Sequence, residues 1–249
     1  IFTVVRVVEL SWREMKLYTL DHSPYSTRVR AQVRHKNLPI EFVCPRELRN
    51  EALKTTFPLG QLPVLQLDDG ELLAESTVIL NYLEEMFPQY PLRGKTALDK
   101  ARANMFVRWS DTHLAPVMTP IIREAALSGT RSIDGAVDSV RKELHKLDRL
   151  IISQPDCRGR DIHIGDICAT VSLSFLQAVF ELCSSKSLFD EFPVIEDWWK
   201  HSLQRNPALL QSVDEMLVGI AGWLPIPGRL DAYPAQGLLS RLTLMEKVV

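Results

Sequence analysis

The 249-residue sequence predicts a protein of the α/β plus all-α class, a mixed half in βαβαββα order followed by an all-helical half. Three observations carry that prediction. Up to about residue 92, short strand-like apolar runs alternate with helical periods, whereas from about 97 to 220 only helical periods occur. Between the two regions, Pro88-Gln89-Tyr90-Pro91 and Gly94 place two prolines and a glycine within seven residues, which ends any helix there. The expected organisation is an extension over 1–14, a first unit over 15–92 and a second over 93–249.

In the first unit the order is strand "KLYTL", helix "STRVRAQVRHKN", strand "IEFVCP", helix "RNEALKTT", strand "PVLQL", strand "ELLA" and helix "STVILNYLEEMF". Asp68-Asp69-Gly70 between the last two strands is a hairpin signal, because glycine supplies the positive φ that such turns require. A parallel start followed by an antiparallel hairpin implies a small mixed sheet covered by helices. In the second unit, "TALDKARANMFVRWSDTHLAPVM", "IDGAVDSVRKELHKLDRLIIS", "GDICATVSLSFLQAVFELC" and "FPVIEDWWKHSLQR" repeat apolar residues at spacings of three and four, as amphipathic helices do.

Composition narrows the partners. With 29 basic against 31 acidic residues, no global field draws the chain to nucleic acid or to an anionic membrane, and neither is expected as a partner. Cys44, Cys157, Cys168 and Cys183 form no CxxC pair and have no histidine at zinc-site spacing. No disulfide framework or metal is therefore expected, and a reducing, cytoplasmic setting is. Charged residues are expected to interrupt every apolar run before the roughly 18 residues of a membrane span. The leading "IFTVVRVVELSWRE" is broken by Arg6 and Glu9 and lacks a secretory cleavage pattern, so it reads as an extension ahead of the strand that opens at Met15.

Two stretches carry chemistry. In "DHSPYSTRVR", Ser23 and Pro24 stand where a strand gives way to a helix. A serine there caps the helix with its hydroxyl while proline occupies the first helical position. The same hydroxyl, beside the positive end of the helix, is suited to hold an anion such as a thiolate. One residue can do both. In "GQLPVLQLDDGELLAESTVIL", Leu62-Pro63 is a candidate cis peptide at the start of a strand, which would leave the Leu62 backbone free to pair with an extended peptide. Glu75-Ser76 opens the next helix, with Ser76 as the expected N-cap and free amides suited to a carboxylate.

Taken together and in this order, "SPYS", "GQLPVL" and "ESTVIL" resemble the glutathione S-transferase superfamily over residues 15 to about 215. The resemblance implies a thioredoxin-like first unit, glutathione as co-substrate, a small electrophile as second substrate, and a homodimer. It implies Ser23 as the catalytic hydroxyl that holds the glutathione thiolate, with Tyr25 as a weaker alternative donor. It assigns the Leu62 backbone, before cis Pro63, to the cysteinyl part of glutathione, Gln61 to a contact with the same ligand, Glu75 and Ser76 to the γ-glutamyl end, and Arg49, with Lys54 as substitute, to the glycine carboxylate. A wall for the electrophile is implied from Tyr25, Met105, Trp109, Thr112 and His113. Thiol-transferase chemistry is disfavoured, because a serine at position 23 cannot form a mixed disulfide.

The function implied is thus a detoxifying glutathione transferase. The rivals are a glutathione-dependent isomerase or dehalogenase on the same site, and a non-catalytic binding or scaffold module. "SPYSTRVR" shares its Arg-Val-Arg ending with zeta-like relatives, while Pro24 and Tyr25 depart from their pattern. In "IHIGDICA", Asp166 resembles the buried capping box of the helical unit, with His163 in place of the usual Ser or Thr and Ile162 packing on Ile167. Trp198 and Trp199 read as core and surface packing. Nothing in the tail from residue 220 is matched.

Overall fold

The computed structural model describes residues 15–45, 51–127, 134–183 and 187–223. Residues 1–14, the tail from 224 and Arg49 lie outside them. Strands β1 (Lys16–Tyr18), β2 (Glu41–Val43), β3 (Val64–Gln66) and β4 (Leu72–Ala74) form one sheet in the order β2-β1-β3-β4. The β1–β2 pair is parallel, with Leu17 opposite Phe42, and the other two pairs are antiparallel. Leu17 and Leu65, cross-strand partners, are fully buried. Because strand side chains alternate in direction, neighbouring Tyr18 points the other way and packs on Phe57, ring to ring at 5.0 Å. Gly70, with φ of 91°, makes the β3–β4 turn as the sequence predicts.

Helices α1 (Pro24–His35) and α3 (Ser76–Met86) pack together, and the short α2 (Glu51–Thr56) precedes β3. Although α1 is rich in polar residues, it is buried over most of its circumference. Its long side chains reach outward to bind neighbours. Gln32 Nε2 donates to Leu80 O and Glu84 Oε1. Buried Lys36 pairs with Glu84 at 2.8 Å and donates to the carbonyls of Phe87, Gln89 and Tyr90, while Glu84 Oε2 accepts from Leu92 N. One lysine and one glutamate thereby fix the proline-rich segment that leads out of the first unit.

The second unit comprises α4 (Ala97–Arg108), α5 (Ala115–Leu127), α6 (Asp134–Ile152), α7 (Ile164–Cys183), α8 (Pro193–Arg205) and α9 (Pro207–Trp223). A capping box, Thr96 with Asp99, starts α4. By length and composition α7 qualifies as a membrane span, against the expectation that charge interrupts every such run, because Asp166 and Glu181 stand near its ends. Yet 94% of its residues from Ile164 to Glu181 are buried, and it is the core helix against which α1, α4, α8 and α9 pack. Trp198 stacks on Phe106 at 5.5 Å. Trp199 is buried too, its Nε1 donating to Ser174 Oγ at 2.8 Å, which corrects the expected surface role. Helix α9 forms a separate element after Asn206, whose Oδ1 accepts from Leu209 N.

At the start of α7, Asp166 Oδ2 accepts from His163 N at 2.7 Å, the reaching-back half of a capping box. The other half is not made by the imidazole Nδ1, which is buried without a partner. Arg160 instead clamps both carboxylate oxygens of Asp166. Replacing Asp166 by Ala leaves a buried amide and a guanidinium unpaired, and on the order of 3 kcal/mol of stability is expected to be lost in urea titrations. Asp214 on α9 has a buried Oδ1 with no hydrogen-bond partner. Burial, reinforced by Glu215, pushes its carboxyl from 3.8 up to about 6. The folded state therefore holds this proton more tightly than the unfolded chain. The resulting stability is complete below about pH 4 and is lost as pH rises through about 6. Asp214→Asn is expected to melt at a higher temperature than wild type at about pH 8, and the gap is expected to close as pH falls to about 4.

Candidate active site

Ser23 has extended backbone angles and caps α1, its Oγ accepting from Ser26 N at 3.3 Å. Accepting uses a lone pair and leaves the hydroxyl hydrogen available to a ligand. Pro24 occupies the first helical turn, as the sequence predicts. The Leu62-Pro63 peptide is cis, and among the described residues no hydrogen bond engages the Leu62 backbone.

A cavity of about 610 Å³ brings together Gln61, Leu62, Pro63, Glu75, Ser76 and Tyr25 with Thr112 of the second unit. Half-buried Ser23 is not among its lining residues. Lys54 on α2 is exposed and also stands outside the cavity wall, its stem against Gly60.

The start of α3 differs from expectation. Glu75 is the N-cap residue, at φ 71° and ψ 114°, and makes no side-chain capping bond. A non-glycine residue in that region is strained and persists where its surroundings hold it. Ser76 is the first helical residue, and its hydroxyl is taken by Arg28 of α1. Arg28 Nε and Nη2 both donate to Ser76 Oγ, at 3.0 and 2.7 Å, and Nη1 donates to Asp111 Oδ1 at 2.7 Å. Thr77 Oγ1 donates to Asp111 Oδ2, and the Arg28 guanidinium lies 4.7 Å from the Tyr25 ring centroid. With two donors on its oxygen, Ser76 retains its own hydrogen for an acceptor, the polarity that a carboxylate ligand requires. Burial pushes the Tyr25 phenol up, so it too faces the cavity as a protonated donor.

Asp111 lies in a wide π-type turn, Trp109–Leu114, between α4 and α5. Such turns recur at functional sites. This turn divides the residues expected to form one electrophile wall. Tyr25 and Thr112 line the cavity, with Val107, Arg108, Asp111 and Thr119. Met105, Trp109 and His113, spaced by four, face α6 and border a separate open cleft of about 580 Å³ with Lys146 and Leu150. Trp109 Nε1 donates to Glu143 O, and His113 Nδ1 lies 3.5 Å from Glu143 Oε2. Trp109 and His113 thus tie the turn to α6, while Met105 on α4 stays exposed at the cleft. Arg28, Thr77 and Asp111 are the site residues that sequence reasoning missed. The one available signal was a pair of arginines on an otherwise buried helix, which demands an acid somewhere, without saying which.

A thioredoxin-like sheet, an all-helical second unit and a polar cavity built from both define the class of this protein. Residues 17–91 match the family model described as glutathione S-transferase, N-terminal domain. Over 212 residues the chain is 26% identical to glutathione S-transferase 2 of Saccharomyces cerevisiae, covering 78% of this chain and 87% of that one. Over 94 residues it is 39% identical to maleylacetoacetate isomerase of Pseudomonas aeruginosa, covering 35% of this chain and 44% of the isomerase. Among solved structures, a glutathione S-transferase from Rhodospirillum rubrum F11 is 26% identical with a TM-score of 0.65, over 80% of this chain and 91% of that one. Residues 17–91 therefore carry a glutathione S-transferase N-terminal domain, and over most of its length the chain is similar to glutathione S-transferases.

Arg28 is 3% exposed and Asp111 21% exposed at their side chains. Removing one member of such a pair strands the other. Arg28→Met is expected to cost about 3 kcal/mol in chemical denaturation, and Arg28→Met with Asp111→Leu less than the sum of the two single changes.

Proposed function

We propose that the protein is a glutathione transferase in which Ser23 donates a hydrogen bond to the glutathione sulfur and stabilises it as a thiolate. The observation that carries this reading is the convergence of Gln61, Leu62, Glu75 and Ser76 on one cavity. An extended tripeptide entering it pairs its cysteinyl backbone with that of Leu62, in the manner of an added strand. Its γ-glutamyl end meets the Ser76 hydroxyl and the Glu75 carboxylate, which suit its carboxylate and its ammonium respectively. The sulfur then lies toward the head of α1.

A free thiol has a pKa of about 8.5. One charge-assisted hydrogen bond and a helix N-terminus are of the size needed to lower it by about one to two units, each unit being roughly 1.4 kcal/mol. The thiolate attacks an electrophilic carbon, forming the C–S bond as a leaving group departs with its electron pair. The thiol proton passes to solvent. The cavity's second wall, Val107, Arg108, Thr112 and Thr119, is assigned to the electrophile, and the functional unit to a homodimer.

A second reading of the donor rests on Tyr25, which lines the cavity directly where Ser23 does not. A second reading of the reaction, glutathione-dependent isomerisation, draws on the 39% identity to an isomerase. Calorimetric titration of glutathione, with thiolate absorbance followed against pH, separates the donors. Ser23→Ala is expected to retain binding within a few-fold and to raise the ionisation of bound thiol by about one to two units, while Tyr25→Phe leaves it in place. The reverse pattern transfers the donor role to Tyr25. Absence of glutathione binding in wild type overturns the transferase reading in favour of a scaffold.

A further inference from the structure

Arg30, two residues beyond Arg28, takes no part in the cavity. It is 2% exposed, and its donors are spent on the loop that carries Ser23. Nη1 donates to Thr19 Oγ1 at 2.8 Å and to Leu20 O at 2.9 Å, and Nη2 donates to Asp21 O at 3.0 Å and to Thr27 Oγ1 at 2.9 Å. The Leu20 carbonyl is shared, because Ser23 N also donates to it at 3.2 Å. Leu20 N in turn donates to Ser26 Oγ at 3.1 Å. One buried side chain thus holds three consecutive residues of the strand-to-helix loop and the acceptor of the Ser23 amide.

On its far side, the loop rests against α9. A Cβ placed on Gly219 would lie 2.7 Å from His22 N and 2.8 Å from the Asp21 carbonyl carbon, so only glycine admits the loop at this distance. The nearest ion-pair partner of Arg30 is also on α9. Glu215 Oε2 lies 3.8 Å from its Nε, which has no hydrogen-bond partner, and the Glu215 carboxylate is held by Arg34. Burying a guanidinium is costly unless its donors are satisfied. Here three of the four bonds go to the loop, to the Thr19 hydroxyl and to the carbonyls of Leu20 and Asp21, and the fourth to Thr27 of α1, so the guanidinium ties the loop's position to the helix.

We propose that Arg30 is a positioning residue for Ser23, setting the hydroxyl's place at the head of α1 with Gly219 of α9 as the backstop. This rests on the reading of Ser23 as the thiolate's donor. A hydrogen bond to sulfur is steep in distance and angle, so a displaced loop weakens thiolate stabilisation while leaving the Leu62, Glu75 and Ser76 contacts to glutathione in place. The charged and titratable groups around Arg30 are Asp21 and His22 of the loop, Cys44 after β2, Arg34 of α1 and Glu215 of α9. None is altered by the substitutions that test the proposal.

The experiment is a pH titration of thiolate absorbance for glutathione bound to wild type, Ser23→Ala, Arg30→Met, Arg30→Lys and Gly219→Ala, with turnover of chlorodinitrobenzene measured in parallel. In Arg30→Met the ionisation of bound thiol is expected to shift alkaline by about one unit, with kcat near pH 6.5 down about tenfold and KM for glutathione within about threefold of wild type. Arg30→Lys, which keeps the charge and some of the donors, is expected to fall between. Gly219→Ala leaves Arg30 intact and displaces the loop, so it is expected to shift the ionisation in the same direction. It decides the matter should Arg30→Met not fold. Wild-type ionisation in Gly219→Ala and in any folded Arg30→Met, with a shift in Ser23→Ala, overturns the positioning role alone. An unshifted Ser23→Ala overturns the Ser23 reading and this inference with it.

Discussion

The structure depends on the cost of burying cations on α1. That helix is covered on most sides, yet it carries Arg28, Arg30 and Arg34 and ends on Lys36 as its C-cap. Each must find acceptors, since an unpaired buried charge costs several kcal/mol. The solutions differ. Arg28 takes Ser76 and Asp111, Arg30 the loop at 19–21, Arg34 Ser212 and Glu215, and Lys36 Glu84 and three carbonyls. Hydrophobic packing holds α1 in place, as the contacts of Val29 and Val33 within the core attest. The polar side chains determine which way each neighbour is turned.

The cavity follows from the same constraint. Ser76 faces it with its hydrogen free because Arg28 occupies its oxygen, and Arg28 is oriented by Asp111 from the second unit. The wide turn that carries Asp111 also turns Thr112 toward the cavity and leaves Trp109 and His113 against α6. On the proposed function, glutathione recognition and the electrophile wall are linked through one guanidinium rather than being independent halves.

What was legible in the sequence was local. The Ser23-Pro24 cap and the Asp68-Asp69-Gly70 turn are set by residues within a few positions of one another, whereas the Leu62-Pro63 dipeptide marks only a candidate for the cis bond, since few such bonds are cis. The order of strands and helices follows from periodicity alone. The Arg28–Asp111 pair spans 83 positions, and no local rule selects Asp111 among the acids available. The cap at Ser76 was misplaced by one residue because a distant arginine claims the hydroxyl. Placing Met105, Trp109, Thr112 and His113 on one wall ignored the helical phase between residues spaced by four and those offset from them. Nothing local marks Trp199 as buried, because Ser174, which accepts its indole hydrogen, lies 25 positions away.

The way α1 is neutralised also bears on how such proteins can be recombined. The proline-rich segment after α3 looks like a seam where one half could be exchanged for that of a relative. Arg28 and Arg34, however, draw their counter-charges from Asp111 and Glu215 on the other side of it. A chimera joined at that seam inherits two guanidiniums whose acids belong to a different lineage. Its viability turns on whether those acids travelled with α1, more than on how well the apolar surfaces match.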